Sequence, residues 1–297
     1  MTRYVGSRAP VEWERCVPES TRAVWTPQAV ALGDGTETMA VVNGTGPTLL
    51  VIPPLVGWKE SMWPQVTGLA GRFRVVAFDL RAGSDVTWSR LVTDVDRVVE
   101  TLAPAPLALL GHSLGGALAL QWAVARPGRV TALVLSSTYS HIRFDAATWW
   151  SRFAVQGAVL AMNRLLPEGL ALRGAHAAAR RGIWVYDPHC DDALMRMVRA
   201  AVRATPARVA LQRVRLARAF DARPLLAKVR CPTLVMVGGM ESPFARESAE
   251  ILRGGIAGAE LRVVPEANHL VHLSRAPLYN EIVAAWLDDR RAAGAAS

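Results

Sequence analysis

The chain of 297 residues is 51% hydrophobic and 20% charged, which excludes a disordered chain and allows one large folded domain. No apolar run approaches the roughly 18 residues of a membrane span, and residues 1–10 lack the apolar core of a signal peptide. The cysteines are odd in number and widely spaced, which indicates reduced thiols rather than disulfides or a metal site. They are Cys16, Cys190 and Cys231. We therefore expect a cytoplasmic protein with no membrane partner.

The net charge of +9 is concentrated in one part of the chain. Residues 141–220 hold thirteen arginines and five carboxylates, so nearly all of the excess positive charge lies there. A nucleic-acid-binding protein more often combines such a patch with lysine-rich arms or with aromatic side chains that stack on bases. The sequence shows neither feature, and we expect no nucleic-acid partner.

The first half of the chain alternates apolar strands with helices. Two short apolar runs flank Gly33-Asp34-Gly35 and predict a hairpin. Further strands are predicted at 48–52, 73–78, 106–110 and 131–135, and helices at 61–71, 88–102 and 117–125. These strands are apolar throughout rather than at alternate positions. They predict a mostly parallel α/β sheet that helices cover on both faces.

The pattern changes between residues 140 and 221, where no strand is predicted and most stretches have helical periodicity. It resumes with strands at 231–237 and 260–264 and helices at 244–252 and 277–290. A helical segment inserted into such a sheet usually forms a lid over the C-terminal strand ends, where ligands bind. We therefore predict a core of residues 1–139 and 222–297 and a helical cap of residues 140–221.

One short motif joins the strand at 106–110 to the helix at 117–125, and its sequence is Gly111-His112-Ser113-Leu114-Gly115-Gly116. Gly-x-Ser-x-Gly between a strand and a helix is the pattern of a nucleophile elbow, a sharp turn that exposes the serine hydroxyl. The start of the helix also places backbone N–H groups near developing negative charge. Because the motif is short, it is also compatible with a glycine-rich turn whose serine has no chemical role.

A serine nucleophile needs a base within hydrogen-bond reach and a third group that orients the base. In the elbow arrangement the acid follows a late strand and the histidine follows the last strand. Glu241 stands just after the strand at 231–237, and His269 just after the strand at 260–264. Both meet this expectation independently of the elbow. We therefore predict a triad of Ser113, Glu241 and His269, with Asp221 as a distant alternative acid.

Residues 25–290 resemble the α/β-hydrolase superfamily with a helical cap. The matching segments are the elbow, Phe78-Asp79-Leu80-Arg81, the strand that ends at Gly238, Asn268-His269 and Ala276-Pro277. The resemblance implies Ser113 as nucleophile, His269 as base and then acid, and the carboxylate after Gly238 as the group that orients His269. It also implies an oxyanion hole from the Leu114 N–H and one N–H of the loop after Ile52, and it implies no metal or cofactor.

Three features depart from the usual pattern of this superfamily. Glu241 stands where aspartate is more common, and the glycine-rich loop after Arg81 is shortened to Ala82-Gly83-Ser84. Pro53-Pro54 replaces the usual His-Gly after the third strand. Since proline has no N–H, the second oxyanion donor is predicted to be Leu55 or a later residue.

Several other polar residues could be taken for catalytic or binding residues, but a structural role accounts for them as well. His272 is expected to pack near the start of the last helix rather than to act as the base. His112 is expected to bond to the backbone, and Asp79 to fix a loop. One helical face carries three arginines, and we expect it to be solvated or to contact an acidic substrate or carrier group. These are Arg196, Arg199 and Arg203.

The sequence predicts a serine hydrolase that cleaves a carboxylic ester, thioester or lactone of a small-molecule substrate through an acyl-enzyme on Ser113. Trp149, Trp150 and Trp184 are predicted to line the substrate site, with packing between lid and core as the alternative. The other functional reading is a non-hydrolytic or acyl-transferring protein of the same fold that binds an acidic small molecule under the basic lid. The fold hosts all of these chemistries, so the bond type and the oligomeric state stay open.

Overall fold

The centre of the molecule is a twisted sheet. A computed structural model describes residues 2–6, 17, 19–83, 86–103, 106–142, 158, 161–183 and 185–295. Within these ranges nine strands are ordered β1-β3-β5-β4-β6-β7-β8-β9, and β2 pairs with β3. The strands are β1 (Arg3–Tyr4), β2 (Thr26–Ala31), β3 (Thr36–Asn43), β4 (Thr48–Ile52), β5 (Arg74–Phe78), β6 (Leu107–His112), β7 (Val130–Ser136), β8 (Thr233–Gly238) and β9 (Glu260–Val264).

Most of the sheet is parallel. β4 lies between β5 and β6 and is parallel to both, and β6, β7, β8 and β9 continue in parallel. β2 and β3 form an antiparallel hairpin, and β3 is also antiparallel to β5. The predicted α/β fold class and the hairpin around Gly33-Asp34-Gly35 are therefore confirmed.

Helices cover both faces of the sheet. They are α1 (Glu19–Ala23), α2 (Trp63–Gly68), α3 (Trp88–Leu102), α4 (Leu114–Ala125), α5 (Glu168–Ala179), α6 (Asp192–Ala204), α7 (Ala207–Ala219), α8 (Arg223–Leu226), α9 (Pro243–Gly255), α10 (Val271–Ser274) and α11 (Ala276–Ala295). Helices α3, α4 and α9 pack on one face, and α2 and α11 on the other. Leu50 and Ile52 of β4 face the first group, while Leu49 and Val51 face the second. The four buried positions of β4, Leu49 to Ile52, are all apolar because both faces of the strand are covered. None of the described helices is long and apolar enough to cross a membrane.

Residues 140–221, the inserted segment, lie between β7 and β8 and contain α5, α6 and α7. The two ends of the segment meet at a bridge between His141 and Asp221 and at a hydrogen bond of 2.6 Å from the Ala222 N–H to the Ser140 carbonyl. Buried apolar residues of α5 and α6 form a cluster with Trp58 of the loop after β4. The segment is thus attached to the rest of the molecule at its base and along one apolar side.

Candidate active site

Ser113 occupies the turn between β6 and α4 in a backbone conformation that non-glycine residues rarely adopt, with a φ of +55°. The turn is tight on both sides. A Cβ atom at Gly111 would overlap the carbonyl oxygen of Gly115, and one at Gly115 would overlap the carbonyl oxygen of Ile52. The glycines therefore allow the strand, the helix and the end of β4 to approach closely, and Ser113 is held in a strained conformation at that point.

The three residues of the predicted triad lie in one chain of hydrogen-bond distances. His269 Nε2 is 3.1 Å from Ser113 Oγ, and His269 Nδ1 is 3.2 Å from Glu241 Oε2. Glu241 follows β8 and His269 follows β9, so the carboxyl ends of neighbouring parallel strands bring the side chains together. With its ring proton on Nδ1, His269 donates to Glu241 and accepts from the Ser113 hydroxyl.

Glu241 is buried and has further donors besides His269. Its Oε1 accepts hydrogen bonds from Ser137 Oγ at 2.5 Å and from the Gly238 N–H at 3.2 Å. Burial by itself would raise the pKa of Glu241, but its hydrogen bond and Coulombic interaction with His269 and the hydrogen bonds from Ser137 and Gly238 outweigh burial and lower the pKa. Glu241 therefore stays ionised at neutral pH.

The sequence reasoning did not identify Ser137. Ser137 lies directly after β7 with a φ of +44°, and its hydroxyl reaches Glu241 in the loop after β8. A signal was present, because Ser136-Ser137-Thr138 ends an otherwise apolar strand at the edge where such sheets bind ligands. Thr138 belongs to the same group, since its hydroxyl donates to the Ser113 carbonyl at 2.7 Å.

The predicted oxyanion donors lie on the elbow and on the loop after β4. Leu114 is the first residue of α4, so its N–H is not used by the helix. Leu55 lies in a turn that the Gly57 N–H closes by donating to the Pro54 carbonyl at 2.8 Å. Gly115 would overlap the Pro53 carbonyl if it carried a Cβ atom, so this loop directly abuts the elbow.

Arg213 of α7 is a further residue that the sequence did not single out. It is buried, and it donates hydrogen bonds to the carbonyl oxygens of Leu55, Leu80 and Arg81. Burial lowers the pKa of Arg213 to about 10, although the Asp79 carboxylate opposes this effect. The inserted segment thus holds the loop that carries Leu55.

Asp79 fixes the other side of the same loop, as the sequence predicted. Its Oδ1 accepts from the Lys59 N–H at 2.9 Å, and its Oδ2 accepts from Lys59 Nζ at 3.0 Å and from the Tyr4 hydroxyl at 2.8 Å. Asp221, the alternative acid, forms a salt bridge of 2.6 Å with Arg223 instead of contacting His269.

Two further histidines lie near His269: His112 contacts its ring, and His272 packs against His112. The His112 ring centroid is 3.8 Å from that of His272 and 5.2 Å from that of His269. Burial lowers the pKa of His112, and burial together with His269 lowers the pKa of His272 to about 3. His272 is a packing residue, as expected. His112 forms a hydrogen bond with the backbone of His269, as expected, and its Nδ1 also lies 3.0 Å from the Ser136 hydroxyl.

The three arginines of α6 have different environments and do not form one exposed face. Arg199 is buried, and its guanidinium donates to the carbonyl oxygens of Asn163 and Leu166 at 2.7 Å each. Arg196 forms a salt bridge of 3.0 Å with Glu168, and Arg203 is exposed. The expectation of a solvated or ligand-binding face is therefore wrong for Arg199. Its charge satisfies backbone carbonyls that the helix packing buries. Trp149, Trp150 and Trp184 lie outside the described residues.

Residues 47–276 match the family described as the alpha/beta hydrolase fold. The chain belongs to this family.

Relatives and solved structures are similar over most of the chain. One relative is the pimeloyl-(acyl-carrier protein) methyl ester esterase of Neisseria meningitidis serogroup A, at 24% identity over 87% of this chain and 80% of the relative. Another is 3-oxoadipate enol-lactonase 1 of Acinetobacter baylyi, at 24% identity over 80% of this chain and 88% of the relative. The enol-lactonase structure from Burkholderia xenovorans covers 87% of this chain and 99% of its own, with a TM-score of 0.69 and 22% identity. The family and these relatives support a hydrolase.

Proposed function

We propose that the chain is a serine hydrolase that cleaves an ester-like bond of a small-molecule substrate. The observation that carries the proposal is the continuous chain from Ser113 Oγ to His269 at 3.1 Å and from His269 to Glu241 at 3.2 Å. Nucleophile, base and orienting carboxylate at these distances are the arrangement that activates a serine hydroxyl. The esterase and lactonase relatives support ester hydrolysis as the reaction class.

The proposed reaction has two halves. Ser113 Oγ attacks the acyl carbonyl while His269 Nε2 takes the hydroxyl proton, and His269 then gives that proton to the departing alcohol, thiol or lactone oxygen. The acyl group is left on Ser113. A water molecule, deprotonated by His269, attacks the acyl-enzyme and releases the acid, and the proton returns from His269 to Ser113.

We assign Glu241 to orient His269 and to stabilise its protonated form. Its lowered pKa keeps it anionic, and Ser137 and the Gly238 N–H leave Oε2 directed at the ring. The proposed oxyanion hole consists of the Leu114 N–H and the Leu55 N–H. Leu114 contributes from the start of a helix, where the dipole also favours negative charge.

The proposed domain division is a core of residues 1–139 and 222–297 and a helical cap of residues 140–221. The contacts at the base of the inserted segment support it. In this arrangement the substrate binds between cap and core, and Trp149, Trp150 and Trp184 remain predicted substrate contacts. Cys190 and Cys231 are buried free thiols, and the cytoplasmic location stays a prediction from the number and spacing of the cysteines.

Covalent labelling tests the proposal. A fluorophosphonate probe is expected to modify Ser113, and Ser113→Ala is expected to lose the label and roughly 10⁴-fold or more of kcat on p-nitrophenyl esters. Ser89→Ala is the matched control, because Ser89 is an exposed serine on α3. Full activity of Ser113→Ala contradicts the proposal. Parallel assays with acyl thioesters and lactones assign the bond type.

A second candidate is an acyl-transferring or binding protein for an acidic ligand, and the exposed arginines of the inserted segment favour it. Arg173, Arg203, Arg208 and Arg215 are all exposed. The relative from Neisseria meningitidis is named for an ester borne on an acyl-carrier protein, so a carrier-bound acyl group is one such ligand. The test is to follow the acyl group on Ser113 after a radiolabelled acyl substrate has been added. Release of the free acid in water alone favours hydrolysis. Release only when an acceptor is added, as the acylated acceptor, favours transfer.

A further inference from the structure

Asp187 is a buried carboxylate of the inserted segment that contacts the loop carrying His269. It has no exposed surface. Its Oδ2 accepts hydrogen bonds from the Asn268 N–H at 2.9 Å and from Ser274 Oγ at 2.7 Å. Its Oδ1 accepts from the His189 N–H at 3.0 Å, so both oxygens are used. One carboxylate thus links the inserted segment to residues on both sides of His269.

Asn268 completes the link to His269. Its side-chain oxygen accepts the His269 N–H at 2.8 Å, and its amide nitrogen donates to the carbonyls of Gly182 and Tyr186 at 2.8 and 3.0 Å. The backbone on the N-terminal side of His269 is therefore held from both the main chain and the side chain of Asn268. The partners of Asn268 in the inserted segment are Gly182, Tyr186 and Asp187.

The charge of Asp187 is not explained by an ion pair. Within the described ranges, no arginine or lysine forms a salt bridge with Asp187, although burying a carboxylate without a cation is costly. Its stabilisation comes from N–H and O–H donors, and hydrogen bonds to an ionised acceptor are shorter and stronger than neutral ones. Both oxygens of Asp187 face donors, so a neutral amide of the same shape would turn an NH₂ group toward an N–H or O–H donor. The carboxylate therefore holds these donors more firmly than an amide would.

His269 stands in a loop between β9 and α10, outside any regular element that would fix its ring. Its ring must keep Nδ1 toward Glu241 and Nε2 toward Ser113, at the distances described above, while a proton moves. A displacement of about 1 Å at such a group can cost roughly 10²-fold in rate. The contacts of Asp187 and Asn268 restrict this displacement.

We propose that Asp187 is a positioning residue for His269, by which the inserted segment holds the base in register with Ser113. The proposal rests on the proposed function, because it takes His269 as the base. Asp187 does not touch the reacting atoms. It acts through the backbone of Asn268 and through the Ser274 hydroxyl.

The test is Asp187→Asn, which keeps the shape and replaces one acceptor oxygen by an NH₂ group. That group then faces N–H or O–H donors on one side of the former carboxylate. With a p-nitrophenyl ester, we expect kcat to fall roughly 10- to 100-fold and KM to stay within about threefold, because alignment and not binding is lost. Fluorophosphonate labelling of Ser113 is expected to slow by a similar factor.

The matched control is Asp191→Asn. Asp191 lies in the same segment and its Oδ1 caps α6 by accepting the Leu194 N–H at 2.8 Å. It supports the segment without any contact to the His269 loop, so its kcat is expected to stay near that of the parent. If folded Asp187→Asn has the same kcat as Asp191→Asn, the proposal is overturned.

Ser274→Ala keeps the test decisive if Asp187→Asn does not fold. This change removes one donor to Oδ2 and leaves the Asn268 contact, so we expect a loss in kcat of about threefold or more at unchanged KM. An unchanged kcat in that variant overturns the proposal. The failure of the proposed function is separate, since it would appear as full activity or labelling in Ser113→Ala.

Discussion

Ser137 Oγ donates a hydrogen bond of 2.5 Å to Oε1 of Glu241, across 104 positions of the sequence. The other oxygen of the same carboxylate lies 3.2 Å from His269 Nδ1. The two carboxylate oxygens of Glu241 therefore contact residues that follow two different strands, Ser137 after β7 and His269 after β9. This arrangement accommodates a glutamate, whose longer side chain would otherwise be free to rotate at this position.

Ser137→Ala is expected to reduce kcat/KM about tenfold, because a hydrogen bond to an ionised group contributes about 1.5–3 kcal/mol. Loss of the donor also raises the pKa of Glu241, so the loss in activity is expected to grow as the pH falls below neutral. A pH series of kcat/KM checks this. Ser242→Ala is the control, since Ser242 caps α9 beside Glu241 without contacting its carboxylate. Equal activity of the two variants contradicts the prediction.

Gly115→Ala is expected to destabilise the fold by about 2 kcal/mol or more and to abolish most activity, because the added Cβ overlaps the carbonyl of Ile52. Gly254 provides a matched helical glycine with open space around its Cβ position. Gly254→Ala is expected to be neutral or to stabilise by up to about 1 kcal/mol. Chemical denaturation of both variants measures the difference. A Gly115→Ala protein as stable as Gly254→Ala would show that the close approach at the elbow is not required.

Arg213→Lys is expected to cost about 2–4 kcal/mol of stability, since the donors of an ammonium diverge from one nitrogen and cannot reach the carbonyls that two separate guanidinium nitrogens contact. We also expect kcat to fall about tenfold with little change in KM, because the loop that carries Leu55 loses its position opposite the elbow. Arg215→Lys, at an exposed position of the same helix, serves as the control. Steady-state kinetics and thermal unfolding of both variants separate the two effects. An unchanged kcat in folded Arg213→Lys removes the support for Leu55 as an oxyanion donor.

The buried His272 is expected to make stability fall in mild acid. Its pKa is about 3 in the folded protein, against about 6.5 in an unfolded chain. Between these values the unfolded chain binds a proton that folded His272 does not, so stability decreases by up to about 1.4 kcal/mol per pH unit as the pH falls.

His272→Gln removes this titration, and its free energy of unfolding is expected to vary less between about pH 6.5 and 4. Denaturation at a series of pH values measures the slope. Above pH 7 neither form of His272 binds a proton, so the difference there reports only the packing that the substitution changes. A variant whose slope equals that of the parent contradicts the prediction.

The sequence alone predicted much of the fold because apolar runs and glycines act locally. The largely apolar run Thr48–Ile52 predicted a buried strand, and Gly111 and Gly115 predicted a sharp turn between a strand and a helix. Chain order then placed Glu241 after β8 and His269 after β9, which continue the parallel sheet from β6 through β7. The distances among Ser113, His269 and Glu241 agree with that order.

The remaining contacts were decided by tertiary structure, for one physical reason. Ser137, Asp187, Arg199 and Arg213 are polar residues whose partners lie on remote segments, and most of these partners are backbone N–H or carbonyl groups. Every residue other than proline carries the same backbone groups, so no pattern of side chains marks which ones a buried charge will meet. Arg199 illustrates the limit, because helical spacing gave it the same face as Arg196 although only packing determined that it would be buried. The sequence by itself determined the strand-to-helix turn at Ser113 and the chain order of the predicted triad, and the tertiary structure decided what holds these residues in place.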